Sequence, residues 1–148
     1  MGNVTSVMTA NPACCTAETP LREVARMMID NDCGEIPVVD GQGMPVGVVT
    51  DRDITVRTVA QGLNPLDKKA RDVMSSPCHT VDEDCSLGDC CERMESLQLR
   101  RMLVVDGNGR LCGIVALADV ALHAGKKDTG ALVQDVSKPG LRREPVNV

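Results

Sequence analysis

The chain contains no phenylalanine, tyrosine or tryptophan in its 148 residues. That absence removes the largest buried side chains, and with them the rings on which nucleobases stack. A formal net charge of −5, from 16 basic against 21 acidic residues, works the same way, because nucleic-acid binding needs an excess of positive charge over the phosphates. Long apolar runs are missing too, and none approaches the roughly 20 residues required to cross a bilayer. At Met1-Gly2-Asn3-Val4-Thr5-Ser6 no basic region precedes an apolar stretch, which is the pattern of a secretory leader. The expectation is a cytoplasmic protein that engages neither nucleic acid nor membrane. Histidine is scarce, with only His79 and His123. His79 neighbours Cys78, and adjacent residues on a strand point to opposite faces, so the two form no local nucleophile–base pair. No C-x-x-C spacing occurs, which excludes the zinc-ribbon and thioredoxin patterns. No spacing of acids, bases or nucleophiles suggests catalysis, so neither enzymatic activity nor a bound metal is expected.

What the chain does have is aliphatic. Hydrophobic residues make up 43%, and valine alone occurs 20 times. With 25% charged residues this is a globular composition. It suits a core of Val, Leu, Ile, Ala, Met and Cys.

A shift of 66 residues superimposes the chain on itself. Val7-Met8 falls on Val73-Met74, Leu21 on Leu87, Met28 on Met94, and Val38-Val39-Asp40-Gly41 on Val104-Val105-Asp106-Gly107. Gly47, Val49 and Asp53 fall on Gly113, Val115 and Asp119. Each copy has about 60 residues, too few to bury much surface alone. The expectation is therefore one body of two copies packed by pseudo-twofold symmetry. The divisions are residues 7–61, a linker at 62–72 marked by Gly62, Asn64 and Pro65, residues 73–123, and a C-terminal helix and tail at 124–148, the helix over 129–136.

Within each copy the order reads β-α-β-β-α, an α+β or α/β class. Leu21, Val24, Ala25 and Met28 lie on one helix face, preceded by Thr19 as N-cap and Pro20 at the first helical position. Glu35 to Val39 and Pro45 to Thr50 are β-branched runs separated by Asp40-Gly41-Gln42-Gly43, a hairpin turn. A helix runs from Asp51 to about Gln61. The second copy repeats these elements over Leu87 to Met94, Arg101 to Val105, Leu111 to Ala116 and Leu117 to His123. A short strand is expected near Ala13 to Thr16, and another near Cys78 to Val81. Gly41-x-Gly43-x-x-x-Gly47 is one residue longer than a dinucleotide fingerprint and lies between strands, so it reads as a turn.

The repeat also sorts the cysteines. Cys90 and Cys91 take the places of Val24 and Ala25, Cys112 that of Val46, and Cys33 that of Leu99. These four read as small core hydrophobes. Cys14, Cys15, Cys78 and Cys85 stay open to a redox or metal-sensing role.

The segment with most chemistry is Gly47-Val48-Val49-Thr50-Asp51-Arg52-Asp53-Ile54, a buried strand ending at the mouth of a helix. Asp53, one turn in, can accept both hydroxyls of a ribose, and Arg52 can meet a phosphate. The same composition equally describes Thr50 as an N-cap with Asp53 as its first-turn acid. Gly47 permits a close backbone approach.

Taken together, Val7-Met8-Thr9 and Val73-Met74-Ser75, Ile36-Pro37-Val38-Val39-Asp40, and the Gly47–Ile54 segment resemble a tandem pair of CBS (cystathionine-β-synthase) domains, a Bateman module, of the small stand-alone kind. The resemblance covers about Val7 to Ala121. It implies a regulatory or sensor module rather than an enzyme, with an adenosine-containing ligand (AMP, ADP, ATP, NAD or S-adenosylmethionine) in clefts between the sheets, no required cofactor, and a homodimer. By position, Thr50 and Asp53 would hold ribose and Arg52 touch phosphate. Ile36, Pro37, Cys15 and Thr16 would line the adenine site. Without aromatics, adenine would lie between aliphatic, Met or Cys side chains. The second copy reads Gly113-Ile114-Val115-Ala116-Leu117-Ala118-Asp119-Val120. Ala116 and Ala118 stand where Thr50 and Arg52 do, and only Asp119 is kept. One competent site around Thr50 and Asp53 is expected, with a weaker or empty second. Arg100, Arg101, Lys68, Lys69 and Arg71 are available as phosphate contacts, although solvated surface is the simpler reading. The alternative function is a structural dimerisation module with vestigial sites.

Overall fold

A computed structural model of the chain describes residues 2–76 and 78–123. The helix expected at 129–136 and the tail lie outside the described residues. Two compact units emerge, one of residues 2–11 with the described residues from His79 onward, the other of residues 12–76 with Cys78. Both are mixed α/β.

In the unit spanning residues 12–78, strand β2 (Cys15–Thr16) lies parallel to β3 (Glu35–Val39), and β3 pairs antiparallel with β4 (Pro45–Thr50). Helix α1 (Leu21–Asp30) precedes β3, and α2 (Asp51–Arg57) and α3 (Ala70–Val73) follow β4. Leu21 and Val24 of α1 pack with Cys15, Ile36, Val38, Val49, Ala70 and Val73. The other unit has four strands in the order β1 (Thr9–Ala10), β7 (Leu111–Ala116), β6 (Arg101–Val105), β5 (Thr80–Asp82). Helices α4 (Leu87–Leu97) and α5 (Leu117–His123) complete it. Its core joins Leu87, Cys90, Cys91 and Met94 of α4 to Met102, Val104 and Val115, and also to Val4 and Val7.

The compact units therefore divide the chain differently from its repeat. The segment that leads the first copy, Val7 to Ala10, edges the sheet of the second, with Thr9 opposite Ile114. The segment that leads the second copy edges the sheet of the first, with Ser75 opposite Val48. These pairs are one relation stated twice, since 66 residues separate Thr9 from Ser75 and Val48 from Ile114. Each seam needs a glycine beside it. A Cβ at Gly47 would stand 2.8 Å from the backbone oxygen of Ser75, and one at Gly113 would stand 3.2 Å from that of Thr9. The close approach allowed by Gly47 is thus made by the protein's own chain.

The strand lengths follow from one residue. In the second copy the Leu103 amide donates to His79 O at 3.4 Å, and β5 is three residues long. Pro37 occupies the corresponding place in the central strand β3 and has no N–H to donate. The rung is lost there, and β2 is two residues long. On its other side Pro37 lies opposite Val48, whose amide and carbonyl are engaged with Ser75 at 3.0 and 2.8 Å. The missing N–H therefore costs a rung toward β2 but none toward β4, where Val48 is already paired with Ser75.

The turns between paired strands are built alike. Asp40 Oδ1 accepts from the amides of Gln42 (2.8 Å) and Met44 (3.0 Å), and Asp106 Oδ1 from those of Asn108 (2.9 Å) and Arg110 (3.1 Å). Gly43 (φ 83°) and Gly109 (φ 80°) supply the left-handed residue.

Three local expectations are corrected. Thr19 does not cap α1: its hydroxyl accepts from the Thr16 amide at 3.0 Å, and Pro20 holds the cap position without a side-chain bond. The helix after β4 ends at Arg57, where the buried Thr58 hydroxyl donates back to Ile54 O at 2.5 Å, and a 3₁₀ turn, Val59–Gln61, follows to a left-handed Gly62. Cys33 is not a core residue. It is exposed, just past the end of α1, whereas Cys90 and Cys91 are buried as their repeat positions require, and Cys112 is half-buried. All eight thiols are free. Burial pushes the Cys90 thiol up to about 12 and Cys15 up to about 11. Among the described residues no helix is long and apolar enough to cross a membrane.

Two outcomes are expected. Gly47→Ala should cost about 1–3 kcal/mol in urea unfolding, the usual penalty of overpacking. Gly41→Ala, where a Cβ meets nothing within 4 Å, should stay within about 0.5 kcal/mol of the parent. In thiol labelling of the native protein near neutral pH, exposed Cys14 and Cys33 should react first. Cys15 and Cys90 should react only on unfolding, since thiolate and access are both required. Fast labelling of Cys90 in the folded state would contradict this packing.

Candidate functional site

The strand-to-helix junction after β4 carries most of the residues of interest. Thr50 ends the strand with extended backbone and caps α2. Its hydroxyl accepts from the Asp53 amide at 2.9 Å, and the Asp53 carboxylate, through Oδ2, accepts from the Thr50 amide at 3.0 Å. This reciprocal capping box satisfies two of the amides a helix start leaves open. The capping reading of Thr50 and Asp53 is therefore realised in the fold, and any ligand role is additional to it.

Asp53 is 1% exposed, which is unusual for a carboxylate. Two residues outside the sequence motif make it tolerable. The Ser75 hydroxyl stands 3.3 Å from Oδ1 and 3.5 Å from Oδ2. Arg57, one turn along α2, lends positive charge to the carboxylate and donates through Nη1 to the carbonyls of Val73 and Met74, both at 2.9 Å. Arg57 thus ties the helix holding Asp53 to the segment holding Ser75. Burial nevertheless dominates and raises the Asp53 pKa, against the lowering effect of the Thr50 hydrogen bonds, Arg57 and Ser75. Both newcomers had a trace in the sequence. Arg57 is four residues from Asp53, hence on the same helix face, and Ser75 closes the Val73-Met74-Ser75 mark.

Arg52 is exposed beside Asp53, its amide donating to Asp51 Oδ1 at 2.8 Å. Ile36 is fully buried among Val38 and Val49, and Pro37 is buried too. Cys15 is 4% exposed and belongs to the same core, while Thr16 is exposed with its hydroxyl 3.2 Å from that of Thr19. Ile36 and Cys15 thus face apolar core. Of the lysines and arginines noted above, Lys69 and Arg71 pair with Glu18 at 2.7 and 2.6 Å. Solvent screens such an exposed cluster, and it adds little to stability.

In the second copy Asp119 Oδ2 accepts from the Ala116 amide at 3.1 Å, so the backbone half of the box persists without the hydroxyl half. Asp119 is half-buried, and Thr9, the counterpart of Ser75, is exposed and makes no hydrogen bond to it among the described residues. His123 stands where Arg57 does, its Nδ1 3.0 Å from Asp119 O. Among the described residues no three His, Cys, Asp or Glu side chains gather as a metal set.

The raised pKa of Asp53 has a signed consequence. The folded state holds the proton more tightly than the unfolded chain, so this group's contribution is present at low pH and is lost as pH rises from the ordinary aspartate range through the raised value. Wild-type stability, measured against Asp53→Asn by urea unfolding, should fall across that window. A difference that instead grows with pH would show that hydrogen bonds and Arg57 outweigh burial.

A model of the CBS domain family matches residues 4–57 and 70–125. The chain is 38% identical over 98 residues to the uncharacterized protein MK0525 of Methanopyrus kandleri, spanning 66% of this chain and half the length of that relative. It is 37% identical over 146 residues to the uncharacterized protein YlbB of Bacillus subtilis, covering 97% of each. Among solved structures, Hypoxic Response Protein I with two coordinated zinc ions superimposes with a TM-score of 0.74 at 31% identity, covering 83% of this chain and 99% of that one. CBSX2, a CBS-pair protein of Arabidopsis thaliana, was solved in complex with AMP and matches with a TM-score of 0.70 at 25% identity, over 84% and 96%. The CBS domain pair of protein MJ0100, in complex with 5-methylthioadenosine and S-adenosyl-L-methionine, matches with a TM-score of 0.72 at 25% identity, over 83% and 99%. With one motif-bearing strand–helix junction in each of two matched regions, this chain belongs to the CBS domain family.

Proposed function

We propose that the chain is a regulatory module that binds an adenosine-containing ligand at the β4–α2 junction and performs no catalysis of its own. The observation that carries this is the pair of carboxylates, Asp53 and Asp119, each held by the amide three residues earlier at 3.0 and 3.1 Å. A carboxylate fixed this way at a helix start is a preorganised acceptor for the two hydroxyls of a ribose. The complexes of CBSX2 with AMP and of MJ0100 with two adenosine compounds support that ligand class. In this reading Thr50 and Asp53 hold the ribose, and exposed Arg52 meets a phosphate. Ile36, Pro37, Cys15 and Thr16 bound the base only through the backbone or after side-chain movement, since all but Thr16 are buried. Asp119, lacking a Thr partner, holds a second ligand more weakly. Binding shifts the relation between copies or between two chains of a cytoplasmic homodimer, and so biases a partner.

A second reading is favoured by the closed capping box itself, whose partners are all within the chain. In it the module is purely structural, and Thr50 and Asp53 serve only to start α2.

Calorimetric titration with AMP, ATP, NAD and S-adenosylmethionine separates the two. Binding of at least one is expected, weakened roughly 10- to 100-fold in Asp53→Ala by loss of a charged hydrogen-bond acceptor. Absence of heat from all four, with a melting temperature indifferent to each, would favour the structural reading. Because the chain has no aromatic residue, a purine absorption band in the purified protein would also reveal a co-purified nucleotide directly.

A further inference from the structure

We infer that the Ser75 hydroxyl is a built-in competitor for the Asp53 carboxylate, occupying the place of a ligand hydroxyl and setting the affinity of the site. The inference rests on the reading of Asp53 as a ligand acceptor. Three observations carry it. First, the two carboxylate oxygens of Asp53 are unequal. Oδ2 is fixed by the Thr50 amide at 3.0 Å, whereas Oδ1 has Ser75 Oγ at 3.3 Å, a long bond that is easily exchanged. Second, the backbone of Ser75 cannot withdraw. Its amide and carbonyl are paired with Val48 at 2.8 and 3.0 Å, and Arg57 grips the two preceding carbonyls at 2.9 Å. Ser75 can release Oδ1 by rotating its side chain, since serine moves readily between staggered rotamers. Third, the molecule contains its own comparison. In the second copy the position of Ser75 is Thr9, which makes no hydrogen bond to Asp119 among the described residues, and Asp119 is half-buried where Asp53 is 1% exposed.

A ligand hydroxyl arriving at Asp53 therefore exchanges one hydroxyl for another, and gains only the difference between the two bonds. This is a thermodynamic tax on binding: the competent state is the fraction with Ser75 rotated away. It also provides selectivity, because a ligand offering one weak donor cannot displace Ser75, while a cis-diol offering two can.

The test is AMP titration by calorimetry on the full chain and on two variants. Ser75→Ala removes the competing hydroxyl and should bind AMP about three- to tenfold more tightly, the span set by one modest hydrogen bond. Thr9→Ala removes the equivalent hydroxyl of the second copy, which makes no hydrogen bond to Asp119 among the described residues, and should bind like the parent. Thermal melts without ligand verify that both fold. Tighter binding in Ser75→Ala alone supports the inference. Equal or weaker binding in Ser75→Ala, while the parent binds, overturns it and leaves the nucleotide reading standing. Tightening in both variants also overturns it, since contact of the hydroxyl with the carboxylate is then not responsible. No binding by parent or variants overturns the nucleotide reading, and the competition with it.

Discussion

The seam between β4 and the Met74–Ser75 segment is the constraint on which the first copy's chemistry depends. Val48 and Ser75 exchange amide–carbonyl bonds across it, and Gly47 is there because any Cβ would collide with the Ser75 carbonyl. That pairing satisfies Val48, the residue opposite Pro37, from its far side. It brings Ser75 to Asp53, and it offers Arg57 two carbonyls to hold. A buried carboxylate at 1% exposure is tenable only inside such a set of partners.

The seam also explains why the chain is a repeat that does not fold along its repeat boundaries. Each leading segment completes the sheet formed by the other copy, so neither 60-residue stretch closes its own sheet edge. An unpaired edge is a liability, and here the two copies cover each other's. The core that results needs no aromatic ring. Valine, leucine, methionine and cysteine fill it at the shared positions, and Cys90 and Cys91 stand in for Val24 and Ala25 because a free thiol packs as a small hydrophobe.

Side chains have diverged where the backbone has not. Both copies keep the amide-to-carboxylate bond at the helix start and the Asp-anchored turn with its left-handed glycine. The first copy adds Thr50, Arg57 and Ser75 around its aspartate, while the second has Ala116, His123 and Thr9. The same scaffold thus presents one enclosed and one more open carboxylate, which differ in charge environment and access rather than in position.

Periodicity and self-similarity were enough to read the strands, the amphipathic α1 and α4, the turns and the spacing of Thr50 from Asp53, because these depend on residues close together in the chain. The motif that marks the CBS family is local in the same sense. Beyond reach were features set by which of several partners a group takes and by which side chains the packing buries. Thr19 is a fit N-cap by type, but its hydroxyl went to Thr16. Cys33 shares a repeat position with Leu99, yet the chain past α1 leaves it in solvent. Ile36, from the motif, and Cys15, on the first strand, both pack in the core. The sequence by itself determined the two-copy architecture and which carboxylates stand at the helix starts. Only the tertiary structure decided that Ser75 and Arg57, 22 and 4 residues from Asp53, enclose it, because hydrogen bonding and burial are settled by proximity in space, which the pairing of Val48 with Ser75 creates.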